Sequence, residues 1–284
     1  MDSDVTTIGI FAAARSLLRS SVRTLWCNKP LLVFPALAVV LAFVAFALVV
    51  APGLVAAVGT HSGTPALIGA LGGEYAALCA VVFCNVALVS CAGSVMAGEP
   101  VSVAAGLRCA TRRLPLIFGW AAALAIVHLV LRILERQGWI GRWLRRVLGA
   151  LWSFATFFVV PVIVYENPPL RRVVAASLEV MRRSWGASSG TAVRLLWVVV
   201  LLVGAPVFGL LVLLDQLAVQ TTTDSIVTAA MLTTAVAAVI GSSLDQVART
   251  ALYAYATDDR VAEGFDRSAL HSAIYGRRRA RLSA

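Results

Sequence analysis

Residues 31–51 read LLVFPALAVVLAFVAFALVVA, twenty-one residues without a charge. A helix needs about 20 apolar residues to cross the hydrocarbon of a bilayer. Five further segments qualify, at roughly 75–97, 115–134, 147–166, 193–214 and 226–248. The chain of 284 residues is 60% hydrophobic and 13% charged, with a mean hydropathy of +0.88. Soluble domains average about 25% charged residues. Half that charge cannot cover the surface of a globule, which excludes a soluble domain, a disordered chain and a disulfide scaffold. The expected fold is all-α: a polytopic membrane protein with six transmembrane helices in a single domain over 1–257, then a cytoplasmic basic tail over 258–284.

The charges are one-sided. There are 24 Lys and Arg against 14 Asp and Glu, and only Lys29 is a lysine. This bias, with abundant Ala and Val, suggests a GC-rich bacterial genome. Nineteen of the basic residues fall on the N-terminal arm, the 2–3 and 4–5 links and the C-terminal part. The other five, Arg132, Arg136, Arg142, Arg145 and Arg146, all fall in the 3–4 link. The positive-inside rule then puts both ends in the cytoplasm of a bacterial plasma membrane. The first apolar run starts near Leu31, too far in for a secretory leader.

The 3–4 link, RILERQGWIGRWLRR at 132–146, resists that assignment. It reads either as an interfacial helix, with Trp139 and Trp143 at headgroup depth, or as a sign that spans three and four do not both cross. The long apolar runs on either side favour six crossings.

The cytoplasmic links are patterned as flat amphipathic elbow helices. Arg15, Arg19 and Arg23 form one stripe, opposite Phe11, Ala14, Leu18, Val22 and Leu25. In the 4–5 link, Val173, Val174, Ser177, Val180, Met181 and Trp185 oppose Arg171, Arg172, Glu179, Arg182 and Arg183. The 2–3 link sets Val101, Ala104, Ala105 and Cys109 against Arg108 and Arg112. An elbow followed by two spans thus recurs three times, an internal repeat. The partners these faces imply are membrane lipids, with anionic headgroups on the cytoplasmic side. Nucleic acid is discounted, because the arginines are dispersed between spans. Nothing in the sequence specifies a protein partner or a homo-oligomer.

At span four the text becomes specific. Trp152-Ser153, Phe157-Phe158-Val159-Val160-Pro161-Val162, Glu166, Ser177 and Trp185-Gly186 stand in order, and Ala251-Leu252-Tyr253-Ala254-Tyr255-Ala256-Thr257 follows span six. This resembles a family of uncharacterised bacterial integral membrane proteins, a domain of unknown function, from the N-terminal elbow to about Thr257. The proline–glutamate–serine part is more distantly similar to the membrane domain fused to some glycerophosphodiester phosphodiesterases, which is not their catalytic part. The resemblance implies a six-helix membrane module and no reaction.

Enzyme motifs are missing: no HExxH, no GxSxG, no P-loop, no histidine pair at ligand spacing. Cys27, Cys79, Cys84, Cys91 and Cys109 lack metal spacing and read as small buried hydrophobes. No enzyme, no cofactor and no metal site is expected. Ionisable residues inside spans are the usual functional markers. His128 in span three is one, Asn85 in span two a neutral helix glue. Glu166 closes span four and is expected to anchor an elbow arginine or cap an elbow. Asp245 and Arg249 are four apart on one helix and can pair; the alternative is that the acids Glu166 and Asp245 form a proton- or cation-binding pair at a cytoplasmic vestibule. Pro35, Pro161 and Pro206 fall within spans and free backbone groups there. The expected function is a non-catalytic module organising lipid or partner proteins, the alternative a transporter or flippase-like permease for a small or lipidic solute.

Overall fold

The computed structural model describes residues 19–24, 26–185, 241, 244–258, 261, 265 and 270. Expected span five at 193–214, nearly all of span six at 226–248, most of the N-terminal elbow and the basic end of the tail lie outside the described residues. Among the described residues the protein is helical, with no strand. A 3-10 turn at Lys29–Leu32 leads into α1 (Val33–Thr60), followed by α2 (Thr64–Met96), α3 (Val103–Arg112), α4 (Leu114–Glu135), α5 (Gly138–Ala155), α6 (Val159–Tyr165) and α7 (Leu170–Trp185). Residues 244–258 form α8. Four helical stretches are long and apolar enough to cross a membrane: Lys29–Thr60, Thr64–Met96, Leu114–Glu135 and Gly138–Tyr165.

The first two helices outrun their expected bounds. Residues 52–74, which the sequence presents as a glycine-rich outer link, continue both helices to a short turn in which His61 takes a left-handed φ of 47°. The glycines serve contact. A Cβ on Gly53 would lie 2.8 Å from the Pro65 carbonyl oxygen, and one on Gly73 would lie 2.6 Å from Val50 Cγ2. Only small residues let two backbones approach so closely.

The link at 132–146 also differs from expectation. α4 runs to Glu135, Arg136 and Gln137 make the turn, and α5 begins at Gly138 with φ +74°. Arg142, Arg145, Arg146 and both tryptophans therefore ride on the first turns of the fourth long helix, with Trp139 and Trp143 exposed, while Arg132 stays on α4 and Arg136 in the turn. Arg145 bridges back to Glu135 at 3.4 Å.

α3 is capped by Ser102, whose side chain accepts from the Ala105 N–H at 3.3 Å. Its buried face is Gly106 and Ala110, not the expected Ala105 and Cys109. Gly106 sets this register: a Cβ there would lie 2.5 Å from Cys91 Sγ and 2.8 Å from the Ala87 carbonyl oxygen. α7 buries Val173, Ser177, Val180 and Met181 and leaves Arg171, Arg172 and Arg182 exposed. Asn167, at φ 49°, and two prolines turn the chain into it. The core between these elements is built of Val82, Val86, Leu88, Ile117, Phe158 and Ile163 with their neighbours. Trp120 of α4 stacks on Trp152 of α5 at 5.7 Å.

Because the α1–α2 contact has no room for a side chain, Gly69→Val is expected to destabilise the protein by about 1–3 kcal/mol. Gly59→Ala, in open space, stabilises the helix slightly. Unfolding in detergent micelles, compared for the two variants, measures both.

Candidate functional site

The break between α5 and α6 organises one polar end of the bundle. Pro161 has no N–H, so the Phe157 carbonyl loses the partner a continuous helix would supply. Arg249 of α8 takes that place, its Nη1 donating to the Phe157 oxygen at 3.2 Å. The same guanidinium lies 4.5 Å over the Phe157 ring and bonds Asp245 at 2.8 Å. On the other side of the break, the Phe158 N–H donates to the fully buried Ser177 Oγ at 3.2 Å. Two helices distant in sequence thus satisfy the backbone groups that the break releases.

Tyr253 completes this end. It stacks on Tyr165 at 5.4 Å, meets the edge of Phe158 at 6.0 Å and donates its hydroxyl to Glu166 Oε1 at 2.8 Å. Glu166 thus holds Tyr253, where an elbow arginine or elbow N-terminus was expected. Burial, reinforced by the hydrogen bond and charge of Glu166, pushes the Tyr253 hydroxyl well above the ordinary phenol range. It stays a donor. A cleft of about 490 Å³ opens here, lined in part by Gly93, Tyr165, Glu166, Thr250, Tyr253 and Asp258. Gly93 is required by the tyrosine: a Cβ would collide with the Tyr165 hydroxyl.

A second cluster joins α2 to α4. Glu74 accepts from Arg132 at 3.0 Å and lies 3.3 Å from His128 Nδ1. Glu74 is largely covered, its side chain 18% exposed, while His128 and Arg132 are more open. Sequence reading passes over Glu74, which lies just before the expected span at 75–97; the helix in fact begins at Thr64 and places Glu74 well inside it. Asn85 is half-buried in α2 and joins neither cluster. Asp245 and Arg249 meet at the break, Glu166 is joined to Tyr253 at the other end of α6, and His128 belongs to the other cluster.

The cysteines are free. Cys84 and Cys91 are buried, but Cys27 is exposed and Cys79 and Cys109 are half-covered, so the all-buried reading holds for two. Among the described residues no three His, Cys, Asp or Glu side chains come together as a metal site.

Long apolar helices packed around a core of apolar side chains define an α-helical protein compatible with a membrane. The chain belongs to a family of unknown function, DUF6159, which matches residues 75–264. No curated protein matches it, and no solved structure does.

Ser177→Ala leaves the Phe158 N–H buried and unpaired and is expected to cost about 1–3 kcal/mol. Arg249→Met strands Asp245 and the Phe157 carbonyl together. The two substitutions are expected to be non-additive in a double-mutant cycle, because both act on one break. Tyr253 keeps its proton in the fold at a pH where a free phenol loses it. Its contribution is therefore complete below about pH 10 and is lost as pH rises from there through the folded value. Unfolding of Tyr253→Phe against the native protein should show a constant gap of about 1 kcal/mol near neutrality that closes only in alkali.

Proposed function

We propose that the protein is a multi-pass protein of the bacterial plasma membrane, with six spans, both ends in the cytoplasm and its basic elbows lying in the headgroup layer. It works there as a non-catalytic module that organises lipid or partner proteins. One observation carries this reading: the packing between α2, α4 and α6 is closed by apolar side chains such as Val86, Ile117 and Val162, and the polar groups gather in separate clusters. A path for a polar solute needs lining groups along its length, as in transporter sites built at the midplane. The exposed arginines of α3 and α7 support lipid contact on one face.

The second reading, a permease or flippase for a small or lipidic solute, is favoured by one feature. Glu74, His128 and Arg132 place charge on long apolar helices, where ionisable residues mark pathways.

Reconstitution separates the two. Vesicles carrying the protein and a fluorescent phospholipid should lose only outer-leaflet fluorescence to a membrane-impermeant reductant, as protein-free vesicles do. Faster loss from the inner leaflet, abolished by Glu74→Gln, would replace the organising role with transport. Reporter fusions at the two ends should both read cytoplasmic; ends on opposite faces would overturn the six-span topology.

A further inference from the structure

Ala105, Arg108, Cys109 and Arg112 lie along one side of α3, at the i, i+3, i+4 and i+7 positions. With Arg113 they line a cavity of about 500 Å³, open on one side. That volume falls in the range of small-molecule pockets, about 300–1,000 Å³. Three guanidiniums line it, and no carboxylate does so among the described residues. Arg113 is fixed, its Nη2 donating to the Val164 carbonyl at 3.3 Å, and this ties the cavity to the end of α6. Arg108 and Arg112 have no ion-pair partner among the described residues and project from successive turns. Ala105 and Cys109 give the wall its apolar part.

We propose that this cavity is a binding site for a phosphate-bearing anion, with the phosphodiester of an acidic phospholipid as its natural occupant. Forked guanidinium donors match phosphate oxygens, and two arginines one turn apart can hold one phosphate between them. The lipid source is favoured by position. α3 joins the ends of two helices long and apolar enough to span, so the cavity stands where hydrocarbon gives way to headgroups. The apolar wall of Ala105 and Cys109 suits the glycerol side of such a headgroup. This site rests on the membrane reading above and adds a defined headgroup class to it.

Cys109 reports occupancy directly. Full-length protein is placed in vesicles of phosphatidylcholine alone or with added phosphatidylglycerol, and alkylation of Cys109 by a neutral maleimide is timed by peptide mass spectrometry. Phosphatidylglycerol is expected to slow alkylation about tenfold, as for a site presented with ten times its dissociation constant. Arg108→Gln with Arg112→Gln should abolish the protection. Arg171→Gln with Arg172→Gln removes the same charge from α7 and should keep it. Inorganic phosphate added to phosphatidylcholine vesicles distinguishes the sources: protection by phosphate assigns a free anion, protection by phosphatidylglycerol alone assigns the lipid, and either upholds the site. Equal protection in the α3 and α7 variants, or none in the native protein, overturns it. Buried Cys91 is the internal control for folding; if the double variant exposes it, Arg112→Gln alone is used. Carbonate extraction of the same samples keeps the two readings apart. Native protein released by carbonate defeats the membrane reading, whereas a variant retained in the membrane but unprotected isolates the headgroup site.

Discussion

A peptide group shut away from water has to find a partner inside the protein. At residues 156–158 this chain creates that demand by interrupting its fourth long helix just before Pro161. The partners are side chains, Ser177 on α7 and Arg249 on α8. Both are therefore placed by backbone chemistry as much as by apolar packing. The rest of that end follows: Arg249 fixes Asp245 and lies over Phe157, Tyr253 one turn further on lies against Phe158 and Tyr165, and its hydroxyl reaches Glu166. A single missing donor thus accounts for the meeting of three elements.

Charge is handled by the same economy. A lone carboxylate on an apolar helix is costly, and Glu74 is held by Arg132 and His128 across the α2–α4 contact. Among the described residues Arg108 and Arg112 have no such partner, and they stand at the end of the bundle rather than along it. Paired groups between long helices and unpaired arginines at their ends are the distribution a low-dielectric slab with anionic faces selects.

Much of this was legible in the residues. Uninterrupted apolar runs give four of the long helices, the i,i+4 spacing gives the Asp245–Arg249 pair, and the alternation of valines and arginines gives the two faces of α7. Pro161 announces a carbonyl without a donor. What supplies it does not follow from local sequence, since Arg249 lies 92 residues downstream. The expected spans leave out residues 52–74, yet Gly53, Gly69 and Gly73 are helix contact residues there and Glu74 lies within the helix. Gly106 is likewise a contact residue, and α3 buries Ala110 fully while Cys109 packs at the edge of the core. A missing side chain carries no hydrophobic signal, yet it decides which faces meet.

The α1–α2 hairpin has a consequence for the bilayer around it. At a rise of 1.5 Å per residue its helices extend about 40–50 Å, against about 30 Å of hydrocarbon. Val55, Val58, Leu67 and Ile68 are exposed close to the polar turn at Thr60, His61, Ser62 and Thr64, so the apolar surface runs almost the full length of the hairpin. Hydrophobic mismatch of this kind is relieved by tilting the helices or thickening the surrounding lipid, and it sorts proteins toward thicker membrane regions. The hairpin is joined to α3 through the Gly106 contact with Phe34 and Cys91. In the membrane placement proposed above, the inclination of the hairpin and the pose of α3 are linked through that contact.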